Sequence, residues 1–355
     1  MTLLEVKNLK TYYHEDDGGM VHAADDVSFS IEPGETLGLV GESGSGKTTI
    51  AKSIIRLLAD NGEIVDGEIN FRGTDVTQLS KKQLNEQIRW SEVSMIPQNA
   101  MNGFDPVYTV GEQIVEVIRV HEEETTKQEA KARARKLFED LGIEADRVDD
   151  YPHQFSGGMA QRAMIALALA LEPSLILADE PTTALDVVIQ DRILDTIKSM
   201  QEDIGSAMIL ITHDMSVVSE TCDRIAVVYG GRIVEISDAA TIMSNPRHPY
   251  TLGLKNAFPD ITQEDQELVS IPGTPPNLVD PPEGCRFAPR CPFAIDKCWD
   301  VTSTSEMFDE NHVVECHRAD EYVYLQEEAK LKETWRGESD EEQSQSGLTE
   351  VGSDD

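Results

Sequence analysis

Gly41-Glu42-Ser43-Gly44-Ser45-Gly46-Lys47-Thr48 fits the pattern G-x-x-x-x-G-K-[ST] at every fixed position, and its flanks give the pattern meaning. Ahead of it, Thr36-Leu-Gly-Leu-Val40 reads as a short buried strand. Behind it, Thr49-Ile-Ala-Lys-Ser-Ile-Ile-Arg-Leu-Leu58 has apolar residues at helical spacing. The glycines let the backbone curl so that its N–H groups converge on an anion, and a helix opening at Lys47 adds its positive dipole end. Lys47 is placed to reach the β- and γ-phosphates of a nucleotide, and the Thr48 hydroxyl to ligate Mg²⁺. A plain Gly/Ser turn is the alternative; the strand before and the helix after weigh against it. These eight residues and Thr49 are the candidate nucleotide contacts.

A second constellation is Leu175-Ile-Leu-Ala-Asp179-Glu180. Its apolar residues form a buried strand that delivers two carboxylates at its C-terminal end, where open α/β sheets place ligands. Asp179 is positioned to hold Mg²⁺ through water, and Glu180 to polarise an attacking water. A strand ending in solvated acids is the competing reading, disfavoured by the phosphate loop upstream.

The 355 residues are 39% hydrophobic, enough for one large or two small domains with a sizeable core. No run is long enough to span a bilayer, and the N-terminus lacks the basic-then-apolar order of a signal peptide. A soluble cytoplasmic protein is expected. Sixty-six acidic residues against 30 basic ones give a formal net charge of -36, which argues against nucleic acid as a partner. The acids are spread along the whole chain, as in the proteins of salt-accumulating halophiles, where molar salt screens self-repulsion. A surface built for one partner would be more local.

Toward the N-terminus, Leu3 to Leu9 alternates like a strand and Lys10-Thr-Tyr-Tyr13 adds aromatics. The acidic stretch His14 to Gly19 reads as a hairpin loop, and Val27 to Ile31 alternates again. Tyr13 is either an adenine-stacking ring or ordinary strand packing. Between the two constellations lies Gln154-Phe-Ser156-Gly157-Gly158-Met159-Ala-Gln161-Arg162, followed by the helical run Ala163 to Leu171. Ser-Gly-Gly before a helix is a second anion cradle, and one phosphate loop has no need of two.

With that second cradle the chain resembles an ATP-binding subunit of the ABC transporter superfamily. The resemblance implies that Ser156, Gly157, Gly158 and Met159 contact the ATP held by an opposite subunit. Ile96-Pro97-Gln98 resembles the glutamine loop, which senses Mg²⁺ and the membrane partner. Thr183-Ala184-Leu185-Asp186 resembles the loop that crosses the dimer interface, and Leu210-Ile-Thr-His213-Asp214 the switch histidine at a strand end. Tyr13 falls at the position of the adenine-stacking aromatic. Lys47, Gln98, Glu180 and His213 are the implied catalytic residues, and Thr48, Gln98 and Asp179 the implied Mg²⁺ ligands. The resemblance covers about Leu3 to Ile236.

Within the superfamily, Phe155 to Arg162 and Ala178-Asp-Glu-Pro-Thr-Thr-Ala-Leu-Asp186 resemble the first of the two paired ATPases of oligopeptide/dipeptide importers. Asn245-Pro-Arg-His-Pro-Tyr-Thr-Leu252 and Ile271-Pro-Gly-Thr-Pro-Pro276 resemble that group too. Met159 stands where the wider superfamily has glutamine, which fits the group; Ala160 stands where a larger polar residue is common. The implied partners are two transmembrane permease subunits, a second ATPase, here a distinct paralogue, and indirectly an external solute-binding protein. The implied place is the cytoplasmic face of the cell membrane. Sugar or nickel cargo is the alternative to peptide. A DNA-handling ATPase of the same superfamily is the more distant rival, and the chain lacks its long coiled coils and basic surfaces.

The expected fold is an α/β phosphate-loop ATPase domain over residues 1–236, with an antiparallel β subdomain and a helical subdomain at about 99–155. In the latter, Val110 to Val120 and Gln128 to Leu141 have helical spacing, with Lys131, Arg133, Arg135 and Lys136 on a solvated side. Met101, Phe104, Val107 and Tyr108 either line a groove for a helix of the membrane subunit, as the resemblance implies, or pack in the core. A small C-terminal extension over 237–325 carries four of the five cysteines, Cys285, Cys291, Cys298 and Cys316, spaced C-x5-C-x6-C-x17-C. Cys222 reads as a core residue. In a reducing cytoplasm clustered thiols more often bind metal than pair with each other. Zinc prefers tighter C-x₂₋₄-C pairs, with His317 as a possible extra ligand; four spread thiolates also suit a [4Fe–4S] cluster. The importer resemblance implies the cluster; zinc and free thiols stay open. Residues 326–355 form an acidic tail whose end is expected to be disordered.

Overall fold

The computed structural model describes residues 2–182, 187–257, 268–309 and 311–335. In chain order the strands are β1 (Leu4–His14), β2 (Met20–Ile31), β3 (Thr36–Val40), β4 (Gly62–Phe71), β5 (Thr74–Asp75), β6 (Val93–Ile96), β7 (Leu175–Asp179), β8 (Ala207–Thr212), β9 (Arg224–Tyr229), β10 (Arg232–Asp238), β11 (Glu306–Asp309) and β12 (His312–Val314). The helices are α1 (Lys47–Ile54), α2 (Lys81–Gln87), α3 (Val110–His121), α4 (Lys127–Asp140), α5 (Gly157–Leu169), α6 (Val187–Ile204), α7 (Met215–Thr221), α8 (Ala239–Ser244), α9 (Pro249–Asn256), α10 (Asp296–Asp300) and α11 (Tyr322–Glu328).

The apolar runs at β3, β7, β8 and β9 have no polar alternation, because both faces of their sheet are covered. That sheet has eight strands in the order β11-β12-β10-β9-β3-β8-β7-β6. From β9 to β6 all neighbours run parallel. Period-two geometry divides each strand between two cores. Leu175, Leu177, Ile209 and Ile211 pack with Leu4, Leu9 and Ile31 beneath the second, antiparallel sheet, whose order is β2-β1-β4-β5. Ile176, Ala178, Met208 and Leu210 pack on the other face with Ile165 and Leu194. Thus β3, the strand that feeds the phosphate loop, lies inside the sheet with a parallel neighbour on each side.

The helical part forms where Thr-x-x-Glu opens each of two helices. Thr109 and Glu112 cap α3 reciprocally, as Thr126 and Glu129 cap α4, each cap worth about 1 kcal/mol. Both helices fall within one residue of their expected bounds. Three of the bases on α4 are ion-paired at the surface: Lys131 with Asp149 at 2.5 Å, Arg133 with Glu122 at 2.8 Å, and Arg135 with Asp149 at 3.5 Å.

The sheet continues across position 236. Strand β10 pairs antiparallel with β9 on one edge and with β12 on the other, Ile236 facing Val313. The hairpin β11–β12 therefore returns from the C-terminal segment to complete the sheet that the ATPase part begins. Fully buried Glu235 fastens this return: it takes His312 Nε2 at 2.7 Å and the backbone N–H groups of Arg247 and His248 at 2.7 and 3.0 Å. Beyond it, Trp335 is buried against the face of α9 that Gly253 leaves open. Residues 326–335 thus include packed chain, and the rest of the expected acidic tail lies outside the described residues.

Candidate functional site

The parallel strands end on a common edge, and the functional side chains follow those ends. Gly41 follows β3, Gln98 comes two residues after β6, Asp179 closes β7 with Glu180 next, and His213 follows β8. The sheet order places these strands as neighbours, so residues far apart in sequence meet at one place.

The phosphate loop is shaped by close backbone contacts. Gly46 has φ +103°, and a Cβ there would sit 1.9 Å from the Ala23 carbonyl oxygen; at Gly41 it would sit 2.1 Å from that of Val228. Only glycine fits either position. Lys47 Nζ donates to Gly41 O and Glu42 O, both at 2.7 Å, and to Ser45 Oγ at 3.3 Å. Burial pushes its pKa down to about 8, against the opposing pull of Glu180, Asp179 and Glu42. Ser43 and Gly44 are exposed at the tip of the loop.

Thr48 Oγ1 donates to Asp179 Oδ1 at 2.9 Å. Burial raises the pKa of Asp179, and the bond from Thr48 opposes the rise. A hydroxyl and a carboxylate side by side at the mouth of an anion cradle are the hard oxygen donors that Mg²⁺ takes, so these residues fit that ion. Glu180 stands between the other two candidates: Gln98 Nε2 donates to its Oε2 at 2.6 Å, and His213 Nδ1 lies 3.3 Å from its Oε1. Its backbone is left-handed, φ +45°, an unfavourable conformation for a side-chain-bearing residue, and its N–H is anchored to Ile211 O on β8 at 2.9 Å. The strand end is bent so that consecutive carboxylates serve different partners.

Tyr13 lies beside the opening turn of α1, its hydroxyl 3.4 Å from Thr49 Oγ1, and its ring fills the space a side chain at Gly62 would need. Tyr12, which the sequence reading leaves unassigned, stacks on His22 with ring centroids 4.0 Å apart and donates to Asp25 at 2.8 Å. Ser156 caps α5, accepting from Met159 N–H at 3.4 Å, and Ser156 and Gly157 are exposed. Among the described residues no hydrogen bond or ion pair joins Ser156, Gly157, Gly158 or Met159 to the phosphate loop of the same chain. Asp186 and its neighbours Thr183 to Leu185 lie outside the described residues. Beside the glutamine loop is an open groove of about 1020 Å³ lined in part by Tyr108, Trp90, Val117 and Pro97. Phe104 is buried instead, Val107 is exposed away from the groove lining, and the Met101 side chain is outside the described residues.

The four late cysteines converge. Cys285, Cys291, Cys298 and Cys316, with His317 and His248, line one cavity of about 20 Å³. Arg318 N–H points at Cys316 Sγ across 3.4 Å. Burial pushes the thiol of Cys285 up to about 11 and that of Cys316 to about 12. Soft donors gathered in one pocket, with an N–H directed at sulfur, match the chemistry of a thiolate metal site. Yet among the described residues no three His, Cys, Asp or Glu side chains stand in a metal-holding arrangement. Convergence around a cavity is a looser condition than ligation, and the two observations differ in that respect.

A phosphate loop on an interior parallel strand, with a hydroxyl–carboxylate pair and a glutamate between glutamine and histidine, defines a nucleoside-triphosphate-binding ATPase of the phosphate-loop class. Residues 24–183 match the ABC transporter family model, and residues 234–298 match the C-terminal region of oligopeptide/dipeptide transporters. The chain is 43% identical to a probable peptide ABC transporter ATP-binding protein of Sinorhizobium fredii, covering 91% of this chain and 97% of that protein. It is 41% identical to the dipeptide transport ATP-binding protein DppD of Escherichia coli, covering 89% and 97%. Among solved structures, the ATP-binding cassette MJ0796, a post-hydrolysis dimer bound to ADP and Pi, superposes with TM-score 0.61 at 27% identity, over 66% of this chain and 98% of that one. The chain belongs to the ABC transporter family of ATP-binding proteins.

The contacts that the sequence hid are those arriving from the C-terminal segment. Tyr250 accepts the Glu42 N–H at 2.9 Å, and Arg290 pairs with the Glu42 carboxylate. The only sequence signals were a Pro-Tyr pair in a motif and an arginine beside a cysteine, neither of which names its partner.

Proposed function

We propose that this chain is the ATP-hydrolysing subunit of a membrane importer for dipeptides or oligopeptides. The observation that carries it is Glu180, held between Gln98 and His213 one residue beyond the Asp179–Thr48 pair. The phosphate loop and Lys47 bind the triphosphate; Glu180 accepts the proton of the attacking water, with Gln98 and His213 holding its carboxylate in place. Mg²⁺ would be held by Thr48 and Asp179, with Gln98 near, and when bound neutralises charge on the phosphates. Peptide cargo is supported by the names of the relatives and by the match over residues 234–298.

Two ATPases would close head to tail, Gly41–Thr48 of one facing Ser156–Met159 of the other; the exposed cap of α5 is consistent with a cradle for a partner's nucleotide. We assign the second ATPase to a distinct paralogue, this chain being the first of the pair, with two transmembrane permease subunits docked at the groove beside Gln98. Among the described residues no helix is long and apolar enough to cross a membrane; attachment at the cytoplasmic face would come through those partners. Cys285, Cys291, Cys298 and Cys316 would ligate one [4Fe–4S] cluster, Zn²⁺ being the alternative, within a C-terminal extension that it staples. The charge of -36 suits a protein working in molar salt.

The test is ATP-driven peptide uptake by vesicles holding the permease subunits and this chain. Uptake that continues when Glu180 is replaced by Gln would overturn the assignment.

A further inference from the structure

The phosphate loop is gripped by a segment more than two hundred residues downstream. The stretch Cys285-Arg286-Phe287-Ala288-Pro289-Arg290-Cys291 carries an arginine just inside each cysteine, and both arginines are buried, at 7% and 8% exposure. Arg290 meets Glu42 as a fork: Nη1 to Oε2 at 2.6 Å and Nη2 to Oε1 at 2.9 Å. The guanidinium is fixed from behind by Pro272 O, 2.7 Å from Nε, and by Tyr229 OH, 3.3 Å from Nη1. Tyr250 holds the backbone N–H of the same glutamate. Arg286 pairs with Asp25 and donates to Gly230 O, while the neighbouring Gly231 N–H reaches Ser45 O of the loop at 2.9 Å.

Glu42 is the only acidic residue of the loop. The motif leaves its position variable and has no need of a carboxylate there. Left alone, that charge would repel an incoming triphosphate and would compete with it for Lys47. A bidentate arginine cancels the charge and sets the direction of the loop's first turn together.

We propose that Arg290 is a positioning residue of the nucleotide site, acting through its fork on Glu42 to fix the phosphate loop and neutralise its single negative charge. The inference rests on the nucleotide reading of that loop. The bland alternative is that the pair only glues the C-terminal segment to the ATPase core. The two differ in what removing the Glu42 charge does. If Arg290 serves nucleotide binding, an unpaired Glu42 is the harmful species, and taking its charge away relieves the harm. If Arg290 is glue, deleting the second partner relieves nothing.

The experiment measures ATP affinity by titration calorimetry on the full-length chain, with the thermal midpoint recorded for each variant. Arg290→Ala is expected to weaken ATP binding about tenfold, equivalent to about 1.4 kcal/mol. Arg290→Lys, which keeps the charge but loses the fork, is expected to fall between Ala and the native arginine. Adding Glu42→Gln to Arg290→Ala is expected to recover most of the lost affinity. Native affinity in Arg290→Ala, or a loss that Glu42→Gln leaves in place, overturns the proposal. If Arg290→Ala does not fold, Arg290→Gln alone and with Glu42→Gln carries the same comparison. Lys47→Ala run alongside separates the two readings: unchanged ATP binding there breaks the nucleotide site itself, whereas lost binding there with native affinity in Arg290→Ala breaks only the role of Arg290.

Discussion

Gln98 donates to Glu180 across 2.6 Å although 82 positions separate them, so the loop after β6 and the carboxylate after β7 are tied to each other. Replacing Glu180 with Gln removes the proposed base but keeps the shape. We expect ATP turnover to fall by about a hundredfold or more, the usual loss for a general base, with ATP affinity retained. Gln98→Ala should cost less, since it removes an orienting bond and leaves the base. Phosphate release and equilibrium ATP binding check both; equal losses would mean that Glu180 is not the base.

Lys47 gives a pH signature. Before nucleotide binds its pKa is about 8, well under the ordinary 10.5, and the triphosphate prefers the charged form. Below pH 8 the ammonium is already protonated and affinity is flat. Above pH 8 binding must take up a proton, so affinity should fall by up to about tenfold per pH unit. Isothermal titration in buffers of different ionisation enthalpy at pH 9 should show that uptake, and Lys47→Ala should lose nucleotide binding outright.

Glu235 has no exposure and three hydrogen-bond donors. Glu235→Ala strands His312 and two backbone N–H groups in the interior, and should lower stability by about 3 kcal/mol or more. Urea unfolding followed by circular dichroism measures it. A shift within about 0.5 kcal/mol, the range of ordinary surface changes, would show that this network is dispensable.

The cysteines make an analytical prediction. Protein purified without oxygen should be brown and carry about four irons per chain if a [4Fe–4S] cluster fills its four-thiolate site. Cys291→Ser should bleach it and make the C-terminal segment protease-sensitive. One equivalent of zinc in colourless protein would point to the alternative ion, and metal-free protein with a protease-resistant segment would remove the need for a staple.

The nucleotide site was largely legible because its residues are consecutive or end apolar strands: Gly41 to Thr48 is one stretch, and Asp179 and Glu180 follow a four-residue apolar run. Helices α3 and α4 were legible through period and capping. Strand β4 and the short partner strands escaped, because in Gly62–Phe71 the adjacent Ile64-Val65 and the Asp66-Gly67 pair interrupt any alternation and no motif marks the stretch. The join of β10 to β12 escaped for another reason. Pairing across so long an interval is decided by which edge is left open, and that is a property of the assembled sheet. The pairing of Arg290 escaped as well, since its partner Glu42 occupies a variable position in the loop motif.

That late join has a bearing on how the chain is made. Strand β10 emerges from the ribosome long before its partner β12, and until His312–Val314 arrives one of its edges is unpaired. Open edges recruit other strands, so the nascent ATPase part is exposed to mispairing through that interval. A chain cut near residue 236 would keep every nucleotide ligand in its sequence and leave that edge of the sheet without its partner.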